Sequence, residues 1–137
     1  MVMTENVFEL KTRANLDAFD ITDLVTEALA GTGKGLVLVS TPHTTVGLVL
    51  GPGDDAMLRD YIQLAKRWPS GHGPFEHFEE NNPNSEAHLL SSLAGTSLSL
   101  HHSEKRLSLG TYQRIIFLEF DGPRTRKVFV RLLDGGA

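Results

Sequence analysis

Two short apolar runs constrain this chain more than anything else in it. Gly35 to Ser40 carries Leu36, Val37, Leu38 and Val39 in succession, and Val46 to Leu50 is a second such run a few residues later. Both are too brief for helices and rich in β-branched side chains, so both read as buried strands. Thr41-Pro42-His43-Thr44 joins them. Proline ends the ladder of the first strand, and the link fits a hairpin or a sharp corner, with His43 at a strand end or tip.

The flanking segments supply the other elements. Asn6 to Asn15 alternates Phe8 and Leu10 against Glu9 and Lys11, the period of a half-buried strand. Asp20 stands at an N-cap position before Ile21, Leu24, Val25, Ala28 and Leu29, an amphipathic helix stopped by Gly31 and Gly33. Asp54 caps a second helix whose stripe is Met57, Leu58, Tyr61, Leu64 and Trp68 and which Pro69 ends. Ser70 to Pro83 reads as a loop, followed by a third helix with Ser85 as N-cap, Leu89, Leu90 and Leu93 inward, and Gly95 as the stop. Ser85, His88 and Ser92 share a different face of it.

From Thr96 the period returns to two. Leu98 and Leu100 precede a polar turn at Ser103 to Lys105, and Leu107 and Leu109 continue beyond it. Arg114 to Phe120 and Lys127 to Leu133 are two further strands around Asp121-Gly122-Pro123-Arg124, which predicts an antiparallel hairpin. Strands grouped in this way, with helices inserted between the groups, predict a single α+β domain over residues 1–137 with a mainly antiparallel sheet and three helices.

Composition narrows the chemistry. The chain has no cysteine, which removes thiolate metal sites and cysteine nucleophiles and leaves imidazole and carboxylate as ligands. A formal charge of -4, from 13 Lys and Arg against 17 Asp and Glu, gives no general attraction to nucleic acid. No apolar run approaches the ~20 residues of a membrane span, and no basic segment leads into an apolar one at the N-terminus. The expectation is a cytoplasmic protein acting on a small molecule, without nucleic-acid or membrane partners.

The densest grouping of chemistry-bearing residues is Phe75 to Gly95, with His77, His88 and the carboxylates Glu76, Glu79, Glu80 and Glu86. Imidazoles where a loop enters a helix suit a metal or phosphate site. The spacing of His43, His77 and His88 matches no local zinc signature, however, and solvated loop and helix faces carry such residues too. His72, His101 and His102 read as exposed or mobile, and Ser91 and Ser92 have no triad pattern around them. Glu119 fits either an inward-facing catalytic carboxylate or a partner for Arg131 across the hairpin. The basic residues Arg106, Arg114, Arg124, Arg126, Lys127 and Arg131 fit either solvated strand faces or the hold on a phosphate-bearing molecule.

An ordered set of short motifs resembles the YjbQ-like family, whose members are described as secondary thiamine-phosphate synthase enzymes. The carrying residues are His43-Thr44-Thr45, His77 and His88 about an acidic-amide loop, Ser91-Ser92-Leu93-Ala94-Gly95, Gly110-Thr111-Tyr112-Gln113 and Glu119-Phe120-Asp121-Gly122-Pro123-Arg124. The resemblance implies a homotrimer with a cleft where His43, His77 and His88 hold a divalent metal, zinc first. It further implies His43, Glu119 and Gln113 as catalytic groups and Ser91 and Thr111 as polar contacts to the bound molecule. The reaction implied joins a pyrimidine methyl diphosphate to a thiazole phosphate. Two positions depart from the family pattern: Gly51-Pro52 stands in place of Asn-Glu, and Glu86 in place of a histidine. The alternative implied is a non-catalytic trimeric protein that binds a metal or small ligand.

Overall fold

A computed structural model describes residues 2–29, 33–77 and 83–134. Its elements run β1 (Val2–Lys11), β2 (Asp17–Asp20), α1 (Thr22–Glu27), β3 (Lys34–Ser40), β4 (Val46–Gly51), α2 (Asp55–Arg67), α3 (Ser85–Ala94), β5 (Ser97–Ser103), β6 (Arg106–Leu107), β7 (Arg114–Glu119) and β8 (Thr125–Asp134). The α+β class and the antiparallel pairing expected from the sequence are what the structure shows. The strands divide between a five-stranded sheet, ordered β1-β8-β3-β5-β6, and a three-stranded sheet, ordered β2-β7-β4.

Period-two alternation sends one set of side chains from each sheet into the space between them. Val37, Val39, Leu100, Val128, Val130 and Leu132 come from the larger sheet, Leu48, Ile115 and Phe117 from the smaller, and Val25 and Leu29 from the α1 region close the core. The other face of the small sheet carries a second cluster, in which Phe120 and Leu118 meet Ala65 of α2 and Ala87, Leu90 and Ala94 of α3. The layers are therefore large sheet, small sheet and helix pair.

Two of the connections that cross between the sheets bear on the sequence reading, the first taking one of its two expected forms and the second departing from it. The strands β3 and β4 lie in different sheets, so Thr41–Thr45 is a corner rather than a hairpin turn. The same holds for β7 and β8: the residues from Asp121 to Arg124 carry the chain from the small sheet to the large one, and the expected β7–β8 hairpin is absent. The polar turn after β5 does form a hairpin, with Glu104 and Lys105 at φ 51° and 66°, the left-handed pair a two-residue reversal demands.

Asp54 caps α2 as expected, accepting from the Met57 N–H at 3.2 Å, whereas the cap position of α1 falls on Ile21 and not on the expected Asp20, which accepts instead from the Thr22 N–H at 3.0 Å and its hydroxyl at 2.7 Å. In α3 the cap position falls on Asn84 instead of Ser85, and the buried positions are Ala87 and Ser91. Leu89 and Leu93, expected inward, are 39% and 67% exposed. Gly95, at φ 87° and ψ 161°, ends the helix in a conformation that side-chain-bearing residues avoid. Phe78 to Asn82, including the expected acidic residues Glu79 and Glu80, and the Gly31 stop lie outside the described residues. Among the described residues no helix is long and apolar enough to cross a membrane.

Candidate functional site

The β3–β4 and β7–β8 crossings lie side by side at one end of the molecule. The Phe120 N–H, just past β7, donates to the Thr45 carbonyl, just before β4, at 3.0 Å. The helix α3 lies over this seam, anchored by the Leu48 N–H donating to the Gly95 carbonyl at 2.9 Å. Side chains from three independent segments therefore meet there: the β3–β4 corner, the first two turns of α3, and the start of β8.

His43 does structural work at the corner. Pairing between β3 and β8 ends at Ser40 and Phe129. Beyond it, the Lys127 N–H donates to His43 Nε2 at 2.9 Å, and the Thr41 hydroxyl donates to the Lys127 carbonyl at 2.8 Å. Two side chains thus continue the ladder where the backbone leaves it. With Nε2 accepting, the proton of the neutral ring sits on Nδ1, so His43 has a donor to offer a ligand and no free lone pair.

His88 has the complementary arrangement. Its Nδ1 lies 3.1 Å from the Thr44 carbonyl, which only accepts, so Nδ1 carries the proton and Nε2 keeps its lone pair. His77 meets His88 edge to face with ring centroids 5.0 Å apart. His43 and His88 both line a polar cavity of about 390 Å³, with Thr45, Asn84, Arg124 and Arg126 among its other walls. They also line an adjoining one of about 340 Å³, where Ser91 joins them. Ser91, expected as a polar contact to the bound molecule, lines this second cavity.

The three imidazoles do not fit the expected metal. The His43 lone pair is taken by the Lys127 N–H, and among the described residues no three His, Asp or Glu side chains converge to hold an ion. The pairwise neighbourhood of His77 and His88 remains.

Other expected site residues are dispersed. Thr111 and Gln113 precede β7 at its Arg114 end, paired with Gly51, whereas Glu119 pairs with Val46 at the other end. Across a strand of this length the separation is roughly 20 Å. Thr111 lines a separate cavity with Asp20, Pro52, Asp54 and Arg114, and Gln113 Oε1 is occupied by the Gly110 N–H at 2.8 Å. Gly51 and Pro52 belong to that far end, so the Asn-Glu pair they replace is not missing from the histidine cavity of this chain. Glu86 lines a different cavity, with Leu16 and Ile62, and does not replace an imidazole beside His88.

Glu119 faces inward, as one of its two expected readings has it, and is not the partner of Arg131. Arg131 pairs with Glu5 at 2.7 Å instead, and Glu119, 1% exposed, is held by Arg126 through Nε–Oε1 at 2.8 Å and Nη2–Oε2 at 2.6 Å. The Thr12 hydroxyl at 2.7 Å and the Asp121 N–H at 3.1 Å complete its shell. Arg126, 4% exposed, is the residue that sequence reasoning undervalued. The signal was present: alternation along β8 places it in line with Val128, Val130 and Leu132, on the core face. His102 likewise proves buried because it follows Leu98 and Leu100 on the inner face of β5, and His72 stacks on Trp68 at 4.7 Å.

Burial pulls the His43 imidazole below its ordinary value; Arg126, Lys127 and Arg124 push the same way and Glu119 opposes. A base whose folded pKa is depressed binds its proton more readily when unfolded, so its stabilising contribution is present above about pH 6.5 and is lost as pH falls toward the folded value. Urea unfolding should show wild type losing stability between neutral pH and about pH 5 to a greater extent than His43→Gln, whose amide oxygen can accept from Lys127 without titrating. Identical pH profiles for the two would contradict this role.

A two-sheet α+β scaffold with a polar imidazole and guanidinium cavity at its seam defines the class of protein. The model of the UPF0047 protein YjbQ-like family matches residues 6–135, and the chain belongs to that family. A UPF0047 protein of Archaeoglobus fulgidus is 45% identical over 125 residues, 90% of this chain and 97% of that one. YugU of Bacillus subtilis, also a UPF0047 protein, is 36% identical over 132 residues, covering 91% and 96%. Among solved structures, the hypothetical protein APE1520 from Aeropyrum pernix superposes with a TM-score of 0.88 at 34% identity, covering 96% of this chain and 98% of that one. The conserved hypothetical protein TT1486 from Thermus thermophilus gives 0.81 at 38% identity, covering 93% and 99%.

Proposed function

We propose that this chain is an enzyme acting on a phosphorylated small molecule in the seam cavity, with His88 as the group that moves a proton. The observation that carries this reading is the complementary setting of the two imidazoles. His43 is fixed as an N–H donor by Lys127, and His88 is fixed as a lone-pair acceptor by Thr44, on the walls of one cavity. A ring held by its other nitrogen is oriented before substrate arrives, which is what proton transfer at a set position requires. Arg124 and Arg126 supply donors for an oxyanion on the same walls.

The reaction that the family resemblance points to is thiamine-phosphate formation, and both of its substrates bear phosphate. As the thiazole nitrogen bonds the pyrimidine methylene carbon and the C–O bond to diphosphate breaks, the His88 Nε2 lone pair would take a proton from the bound substrate and pass it to the departing diphosphate.

The chain should rescue growth of a thiamine-phosphate synthase-deficient host, and His88→Gln should cut turnover by about 10²–10⁴-fold while leaving the thermal transition near that of wild type. Rescue that is indifferent to this substitution in a folded protein would remove His88 from the chemistry. Folded wild type that neither rescues nor turns over these substrates would remove the reaction.

A further inference from the structure

The guanidinium of Arg126 is oriented with more care than a structural ion pair needs. It carries five N–H groups in a fixed fork. Three are spent: Nε on Glu119 Oε1, and Nη2 on both Glu119 Oε2 and, at 2.8 Å, Thr45 Oγ1. The two on Nη1 have no partner among the described residues, and the residue, almost wholly buried, lines the cavity. Donors that an otherwise buried cation leaves to solvent at a cavity wall are the ones an acceptor on a ligand can take.

Thr45 points the same way. Its Oγ1 accepts from Arg126, and its own hydroxyl proton has no acceptor among the described residues, while the side chain is 6% exposed and lines the cavity. The donor atoms come from opposite sides of the seam, Thr45 just before β4 of the small sheet and Arg126 on β8 of the large one. Glu119 cannot supply the missing acceptor, because its two oxygens already receive Arg126, Thr12 and the Asp121 N–H. Asp121, the carboxylate on the cavity wall, pairs with Arg124 at 3.2 Å.

We propose that Arg126 Nη1 and the Thr45 hydroxyl form the anchor for a phosphate monoester of the ligand, with Glu119 as the residue that positions the guanidinium. This deepens the proposed function and rests on its choice of cavity. A phosphate suits the anchor because its several oxygens reach two donors at once, and a charge-assisted contact in a low-dielectric seam is stronger than the same contact in water. With the cavity empty, the Glu119 charge keeps Arg126 neutralised, so the fold tolerates the buried cation until a ligand replaces solvent at Nη1.

Titration calorimetry with methyl phosphate as probe tests the anchor on full-length protein. Wild type should bind it. Thr45→Val, which removes only the hydroxyl, should weaken binding by about tenfold, Thr45→Ser should restore most of it, and Arg126→Lys should weaken it further because an ammonium cannot keep the Glu119 fork and reach the ligand together. Acetate should bind more weakly than methyl phosphate by a similar factor. His88→Gln should retain probe binding while losing turnover. Folded Thr45→Val that binds as tightly as wild type, or wild type that binds nothing, overturns the anchor. Binding that follows His88 instead of Thr45 and Arg126 overturns it as well and leaves the proton-transfer reading standing. His88→Gln with full turnover but intact probe binding sinks that reading and leaves the anchor in place.

Discussion

Glu119→Ala is expected to lower the free energy of unfolding by about 3–5 kcal/mol, since it leaves the Arg126 cation in the core end without its counter-charge. For a domain of this size the thermal midpoint should fall by roughly 10–17 °C. The carboxylate is the meeting point of both sheets: Glu119 belongs to β7, Arg126 to β8, and Thr12 follows β1. Removing one partner therefore exposes a desolvation penalty as well as losing the bonds. The paired replacement Glu119→Leu with Arg126→Met removes both charges and should recover most of the loss, because apolar groups of similar volume fill such sites well. Urea denaturation of the single and double variants decides it; a single variant within about 1 kcal/mol of wild type would show that the pair contributes little.

Gly47→Val should damage both stability and function through one contact. A β-carbon at Gly47 would lie 2.6 Å from Ala94 Cβ, with the Phe120 ring at 3.4 Å behind it. Real atoms do not approach so closely, so α3 must lift from β4 or the strand must bend, at about 1–3 kcal/mol. His88 rides on the same helix less than two turns away, and its Nδ1 bond to Thr44 depends on the helix lying where it does. Turnover in Gly47→Val should therefore fall by more than the loss of folded protein explains. Ala94→Gly in the same chain makes room for the added carbon and should restore part of both. If the single variant matches wild type in both readouts, α3 is not held by this contact.

What was legible in the sequence, and what was not, follows physical lines. The runs at β3 and β4 declared themselves because buried strands leave continuous β-branched stretches, and α2 did so through Asp54 and Pro69. The strand β2 was hidden: Asp17-Ala18-Phe19-Asp20 is short and half charged, and only pairing with β7 makes it a strand. In α3 the leucines suggested an inward face, yet the close approach to Gly47 leaves room for Ala87, Ser91 and Ala94 rather than for Leu89 and Leu93. The Gly-Pro step after β7 fits a tight reversal, and local turn chemistry says nothing about which sheet the next strand joins. At the site, His43 and His88 were visible as residue types, but their roles came from backbone partners at Lys127 and Thr44, which no spacing rule encodes.

The hand-over of the β3 ladder to side chains makes the Lys127 amide an unusual reporter. Its acceptor is an imidazole lone pair, and that lone pair disappears when the ring gains a proton. The resonance of this one backbone N–H is thereby tied to the ionisation of His43, and to whatever charge enters the cavity beside it. A single amide, followed by spectroscopy without any attached label, can sense occupancy of the seam from inside the scaffold.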